Sequence, residues 1–486
     1  MKLSAFADSG RRCLRPCLLL ALVAALSAGT SASAATITVD TTVDDDLADG
    51  ECSLREAILA ANTDAPRNDC PAGNGPDRIV FTLAKGETIA LGGSLPTITD
   101  TLLVRGPGAE LLAIDGQNLH QIFSFDPAAF GRWLGVEELT LTQSFAPTGG
   151  AVQLPSGQGG LLRRVILRAN RASSGGGALH VTGTSAFASR VEVIECWFDL
   201  NQSLGALGGG GIRVVDEGVD FSVDRTTFSG NLASGSNGNG GALMVSRATA
   251  SIQRSTFSAN QASDYGGAIA TLISSTPTAL AIRDSTITGN RANSDDNSTG
   301  SGGGIGAILS TLEPLELGLA NSIVAGNLDG VSSPSPDIYL PSSGLLLLTT
   351  SGFNLIGSNE GAESVFVAGA PNPEGDYVGT AAAPIDPQLN PLADYGGFAP
   401  DHRPAIVAGT PVIDKGFCSG SPADQRGYGD AVNHLRIVDT AFANGPGSDG
   451  CDIGSHERAG DPGADPAIFS DGFERGHTLD WSTELL

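Results

Sequence analysis

The sequence predicts an all-β chain: a single-stranded, right-handed parallel β-helix (β-solenoid) with a short N-terminal capping helix and an irregular C-terminal cap. Three observations lead there. A bulky apolar residue, two spacers and an asparagine recur, ending at Asn170, Asn201, Asn231, Asn260, Asn290 and Asn327. The period is about 30 residues, and the one longer interval, before Asn327, is assigned to a looped insertion. Each asparagine is soon followed by a glycine pair and a small or apolar residue: Gly176-Gly177-Ala178, Gly210-Gly211-Ile212, Gly240-Gly241-Ala242, Gly266-Gly267-Ala268 and Gly303-Gly304-Ile305. The stretches before the asparagines, such as 221–228, 251–257 and 281–287, alternate apolar and polar side chains, as a strand with one buried face does.

Each unit therefore reads strand, turn, strand, loop, with the glycines supplying turns at positive φ. No i, i+3, i+4 apolar stripe runs between Asn170 and Asn327, which excludes helical repeats. Coils of this size stack at the strand spacing of about 4.8 Å, so each position lies over its counterpart in the coil before. The asparagines are then expected to form a ladder of amide hydrogen bonds, with the preceding aromatics stacked inside. A ladder satisfies buried amides, which makes ligand binding by them the poorer reading.

Residues 1–34 read as a secretory signal: Lys2, Arg11, Arg12 and Arg15 precede an apolar run at 18–26, and Ala32-Ser33-Ala34 offers a cleavage site. The remainder divides into an N-terminal cap with the first coils (35–115), the β-helix repeats (116–357), C-terminal coils and cap (358–458), and a linker with a tail (459–486). Cys52-Ser53-Leu54-Arg55-Glu56-Ala57-Ile58-Leu59-Ala60-Ala61-Asn62 is the one predicted helix. Ser53 and Glu56 have capping-box spacing, and Leu54, Ile58 and Ala61 share a face that can lie over the open end of the stack.

The formal net charge is −26, and loss of the first 34 residues makes it more negative. A phosphate-backbone partner is excluded on that balance, and no segment after the leader has the roughly 18 apolar residues of a membrane-spanning helix. Of seven cysteines, five lie beyond the leader, and an exported setting favours disulfides. Cys52 with Cys70 and Cys418 with Cys451 are the nearest pairings, the shorter loop being worth roughly 3 kcal/mol. Cys196 is left as core filler.

Residues 52–57 spell Cys-Ser-Leu-Arg-Glu-Ala and follow Thr38-Val-Asp-Thr-Thr-Val-Asp-Asp-Asp46; this resembles the CSLREA domain found at the N-termini of exported bacterial β-helix proteins. Asn390-Pro-Leu-Ala-Asp-Tyr-Gly-Gly397, Gly409-Thr-Pro-Val-Ile-Asp-Lys-Gly416, Asp424-Gln-Arg-Gly427 and Asp452-Ile-Gly-Ser-His-Glu457 resemble blocks of the choice-of-anchor Q domain, which commonly ends such helices. The repeats resemble the Phe-x-x-Asn and Gly-Gly-Ala-Ile units of polymorphic outer membrane proteins. Val412 and Lys415 depart from that cap family, which usually shows Ala at both places. The tail at 468–482 resembles a short motif on exported proteins of some Gram-negative bacteria. These resemblances imply export to the outside or the outer surface of a Gram-negative cell.

No catalytic constellation is found. None of the six histidines, at 120, 180, 402, 434, 456 and 477, lies in a Gly-His-Gly context, and Arg225, Arg254 and Arg283 recur near matching coil positions as a stripe. Asp44, Asp46 and Asp49, with Asp45 between them, are weak candidates for calcium, but they lack EF-hand spacing and suit a solvated turn better. No other cofactor is implied. Asp424, Arg426 and Asp452, with Asp430 nearby, read first as an Arg–carboxylate clasp of the cap and second as paired carboxylates for glycoside hydrolysis. The first functional reading is a non-catalytic surface protein for adhesion or for binding an extracellular glycan or cell-surface component, through loops such as 234–239 and 293–301. The alternative is a polysaccharide lyase or glycoside hydrolase on the same scaffold. An autotransporter passenger is disfavoured, since the sequence ends at Leu486 without barrel strands. Any activity is expected where the period breaks.

Overall fold

The computed structural model describes residues 34–273, 278–297, 300–309, 315–330, 336–341, 346–418, 421–427, 434–436 and 440–458. The leader and the tail of the sequence reading lie outside them. The chain is a β-solenoid built from parallel sheets of 20, seven and eight strands. One coil shows the plan: Val219–Asp224 and Thr227–Ser229 belong to the largest sheet, Leu232–Ala233 to the seven-stranded sheet and Leu243–Ser246 to the eight-stranded sheet. Successive coils pair in register, Phe198 over Phe228, Phe257, Ile287 and Val324. Their rings stack at 4.9 Å between Phe198 and Phe228 and 4.5 Å between Phe228 and Phe257.

The apolar core is continuous from Ile37 to Val378, so the first coils share it with the repeats. Strand Thr36–Val39 pairs with Asp77–Phe81, and the helix Leu54–Thr63 is inserted between them. Ser53 accepts from the Glu56 N–H while Glu56 accepts from the Ser53 N–H, and Leu54, Ala57, Ile58, Ala60 and Ala61 bury their face on the first coil. At the far end buried Ala362 and Phe366 close the core.

The asparagine ladder is unbroken. Each backbone N–H and each side-chain amide donates to Oδ1 of the next asparagine: Asn170 to Asn201 at 3.0 and 3.0 Å, Asn231 to Asn260 at 3.0 and 2.8 Å, Asn260 to Asn290 at 2.9 and 2.8 Å. The second amide hydrogen returns to a carbonyl of the coil before, as Asn260 does to Phe228 at 2.9 Å. Asn327 hands the ladder to a carboxylate, Asp337 Oδ1, at 2.9 and 2.8 Å. A second ladder, absent from the sequence reading, runs along another corner. Cys196 N–H donates to Thr226, Thr226 to Ser255, Ser255 to Ser285 and Ser285 to Ser322, each at 3.2 Å, then Ser322 to Asn354 at 3.1 Å. It also ends in an aspartate, Asp376, which accepts from Asn354 at 2.8 and 3.0 Å.

Register also corrects the glycine pairs. Leu179, Ile212, Leu243, Ile269 and Ile305 align, so the pairs matching Gly176-Gly177 are Gly209-Gly210 and Gly302-Gly303. Gly209 and Gly302 have φ of 67° and 76°, and a Cβ on Gly210 would sit 2.1 Å from the Gly241 carbonyl oxygen. Coil-to-coil contact, rather than the turn alone, forces the second glycine.

The segment from 386 to 458 does not merely close the stack but folds back along its flank. Gln425 donates to Thr227 at 2.7 Å and accepts from Thr256 at 2.6 Å, and the Ser455 N–H donates to Thr286 at 3.0 Å. Three outward-facing threonines of successive coils are thereby buried. Val412 and Ile453 add a small second core against Ile323 and Leu355.

Asn260→Ala strips the acceptor from two buried Asn231 N–H groups and removes two donations of its own; a cost of about 2–4 kcal/mol is expected in urea unfolding, and a change under about 0.5 kcal/mol would remove the ladder from the stability account. Burial pushes Asp337 up to about 7 against the opposing N–H bonds from Asn327 and Ser358. A raised folded pKa gives stability that is complete below the unfolded value of about 4 and is lost as pH rises through about 7. Wild type should therefore lose ground to Asp337→Asn between pH 5 and 8; an unfolding-midpoint difference that stays flat over that range would contradict this.

Candidate binding surface

Inward positions of the coils are spent on packing and ladders, so recognition falls to the caps and the outward faces. At the N-terminal cap the aspartates turn to separate partners. Asp44 takes the Arg55 guanidinium at 2.9 and 2.7 Å and the Gly92 N–H at 2.8 Å; Asp46 takes Arg67 and, at 2.8 Å, Asn68; Asp49 accepts the Glu51 N–H at 3.1 Å. Asp44, Asp46 and Asp49 are thus not gathered around one point. Half-buried Asp45 has its carboxyl raised by partial desolvation and by the neighbouring charges of Asp49 and Asp44. Among the described residues, the metal-ligand side chains that do converge are Cys418, Cys451 and Glu457, and both sulfurs there are joined in a disulfide. Cys52 and Cys70 form the other bridge. Cys196 is a buried free thiol pushed up to about 12 by burial, unsuited to nucleophilic work.

In the C-terminal cluster Arg426 pairs with Asp424, while the Asp452 carboxylate is held by backbone N–H groups. Buried Asp424 Oδ2 takes the Arg426 fork at 2.8 and 2.6 Å and the Glu457 N–H at 3.0 Å, and Arg426 reaches on to the Glu457 carbonyl at 2.7 Å. Burial raises the Asp424 carboxyl, but the charge and hydrogen bonds of Arg426, with the Glu457 N–H, outweigh it and hold the group below its usual value. Asp452 accepts from the Asp414 and Arg458 N–H groups at 2.9 and 2.7 Å. Both carboxylates have no exposed surface. Asp430 lies outside the described residues. Sequence reasoning missed Arg436, which is wholly buried and donates to Cys418 Sγ at 3.1 Å, the Asp452 carbonyl at 3.2 Å and Asp284 at 3.4 Å. It also missed His456, which meets Asp401 at 2.8 Å; burial pushes Asp401 up to about 8 and His456 well down, which fits a neutral pair sharing one proton.

The predicted arginine stripe is corrected by register. Arg225 and Arg254 follow Asp224 and Gln253, which align with Arg283, so the residue matching them in the next coil is Asp284. Arg225 bonds Glu195 at 3.0 Å and Arg254 bonds Asp224 at 2.8 Å, while Asp284 meets Arg436. That change of sign is where the returning segment docks.

One outward face remains open. Between strands Trp133–Thr142, Gly159–Arg168 and Ser189–Ile194 lies a cleft of about 370 Å³, floored by Gly157, Gly159 and Gly160 and walled by Arg132, Trp133, Arg190 and Glu192. The indole lies across two glycines: a Cβ would sit 2.6 Å from it on Gly135 and 2.7 Å on Gly159. Half-exposed Phe130 and Phe187 stack at 4.7 Å beside Gly157. Farther along the same sheet a hollow of about 190 Å³ is lined by Ser251, Gln253, Ala281, Arg283 and Gly318. The sequence signal for the cleft was the glycine-interrupted strand start at 157–160, preceded by Phe130 and Trp133 and lying ahead of the first asparagine of the ladder.

Residues 254–272 match the Chlamydia polymorphic membrane protein repeat. They span the Phe257 and Asn260 positions and the Gly266-Gly267 pair, the residues that make the ladder and the close coil contact. The chain is thus a β-solenoid with a polymorphic-membrane-protein-like repeat. Comparison with curated proteins and with solved structures finds no match. No helix among the described residues is long and apolar enough to cross a membrane.

Removing one partner from a buried ion pair costs about 3–5 kcal/mol. Arg426→Ala should therefore loosen the returning segment, and limited proteolysis should cut within 386–458 while the solenoid's β circular dichroism persists. Unchanged protease resistance would mean that the clasp does not hold the flank.

Proposed function

We propose that this is an exported β-solenoid displayed at the outer surface of a Gram-negative bacterium, where it binds a glycan or another cell-surface component without cleaving it. The observation that carries the binding-only reading is the state of the carboxylates. Asp424 and Asp452, the pair that a hydrolytic reading would use, are fully buried, Asp424 under Arg426 and the Glu457 N–H and Asp452 under the Asp414 and Arg458 N–H groups, which leaves a substrate no exposed carboxylate to meet. Display is supported by the repeat match to a polymorphic membrane protein, by the leader-like residues 1–34, and by disulfides at both ends, which suit an oxidising compartment. The resemblances of 52–57 to the CSLREA domain and of 390–457 to the choice-of-anchor Q domain point the same way.

Two measurements test it. Protease added to intact cells should remove the chain, and purified protein on a glycan array should bind without releasing products. Protection until lysis would defeat the display reading. Released reducing or unsaturated ends would defeat the binding-only reading in favour of a lyase or hydrolase.

A further inference from the structure

We propose that the cleft at Trp133 is a subsite for an uncharged glycan chain, an assignment that rests on the displayed-binder reading and names its ligand class. The first support is the aromatic surface. Trp197, one coil-pair away, is fully committed: its Nε1 donates to Ser229 at 2.8 Å and the Arg168 guanidinium covers its ring at 4.6 Å. Trp133 has no such partners among the described residues. Its indole rests on glycines and forms one wall of the cleft, and the Phe130–Phe187 pair adds a second apolar surface at the rim. A flat, half-wet aromatic face suits a ligand with an apolar face and polar edges, as a pyranose ring has.

The second support is the charge pattern. Arg190 pairs with Glu192 at 2.7 Å and Arg132 with Asp100 at 3.0 Å, so each guanidinium at the cleft already has its carboxylate. Such a pair presents N–H donors beside oxygen acceptors, which matches sugar hydroxyls that both donate and accept. An acidic sugar would bring its carboxylate against Glu192 and Asp100, on a chain whose net charge is already −26. The third support is extent. The cleft opens onto a face that leads to the hollow at Ser251, Ala281 and Gly318, small residues that leave room along the stack for a polymer.

The test is affinity gel electrophoresis of the full chain in mannan, galactan, mixed-linkage β-glucan and polygalacturonate. At least one neutral polysaccharide should retard wild type, and Trp133→Ala should weaken that retardation about tenfold or more. Arg190→Ala should weaken it by several fold; its side chain is 75% exposed, so it reports on binding even if the tryptophan variant melts early. Equal retardation of wild type and both variants would overturn the assignment while leaving a positive array result, and the displayed-binder reading, intact. Stronger retardation by polygalacturonate than by any neutral polymer would overturn the ligand class, and no retardation by any of the four would overturn the subsite.

Discussion

The coils depend on one constraint: a parallel stack sets each residue on its own counterpart, so a polar group repeated in the core must be satisfied by the copy of itself in the next coil. Asparagine meets that demand because its side chain carries both a donor and an acceptor. Oδ1 of Asn201 receives two N–H groups from Asn170, and the Asn201 amide repeats the gesture toward Asn231. A serine or threonine hydroxyl does the same at the second corner with less, accepting the N–H of the coil before and donating to a carbonyl two residues back, as Ser255 does to Gln253 at 2.6 Å. Such a ladder cannot simply stop, because its last asparagine still has two hydrogens to place. Both ladders finish on an aspartate, Asp337 and Asp376, whose Oδ1 accepts both of those hydrogens.

The same directionality explains why the two ends of the stack differ. The N-terminal end is an apolar surface and is closed by an amphipathic helix whose own first turn is capped by Ser53 and Glu56. The C-terminal end is closed by Phe366, after which the chain turns back and covers a flank of the main sheet. That flank offers threonine hydroxyls rather than apolar side chains, so docking there is a hydrogen-bonding problem, and Gln425, Ser455 and the buried Arg436 solve it. Nε and Nη2 of the buried guanidinium find acceptors while Nη1 has none among the described residues, and the Nη2 contact with Asp284 ties the segment to one register on the coils.

This division sets what could be read from the sequence. The asparagines and the aromatics before them were legible because stacking repeats them at a fixed interval, while the glycine pairs were legible only to within one residue in two coils, where a third glycine follows the pair. The Ser/Thr ladder was repeated too, but its members alternate between two hydroxyl residues and sit beside other serines and threonines, so the pattern did not stand out. The pairings of Arg225 and Arg254 were misaligned with Arg283 by one residue, because only the paired strands fix register. Arg436, His456 and the return along the flank were invisible, since each contact occurs once and joins residues far apart in sequence, 55 positions for His456 with Asp401 and 152 for Arg436 with Asp284.

A solenoid that spends its repeated residues on itself leaves recognition to residues that do not repeat. Arg225, Arg254 and the cap aspartates look functional by type, yet each is matched by a partner within the fold. Trp133 is different in kind. Nothing in the stack needs a tryptophan there: the positions beneath it are glycines, and the coil after it carries no aromatic in that row, Gly159 standing directly opposite. The indole is half-buried on this outward face, packed on glycines beneath and open to water above. Glycines that could be any small residue elsewhere on this strand are required here to let the indole lie down. An indole seated on glycines, outside the repeated rows and without a polar partner among the described residues, is the physical feature on which the glycan-subsite proposal stands.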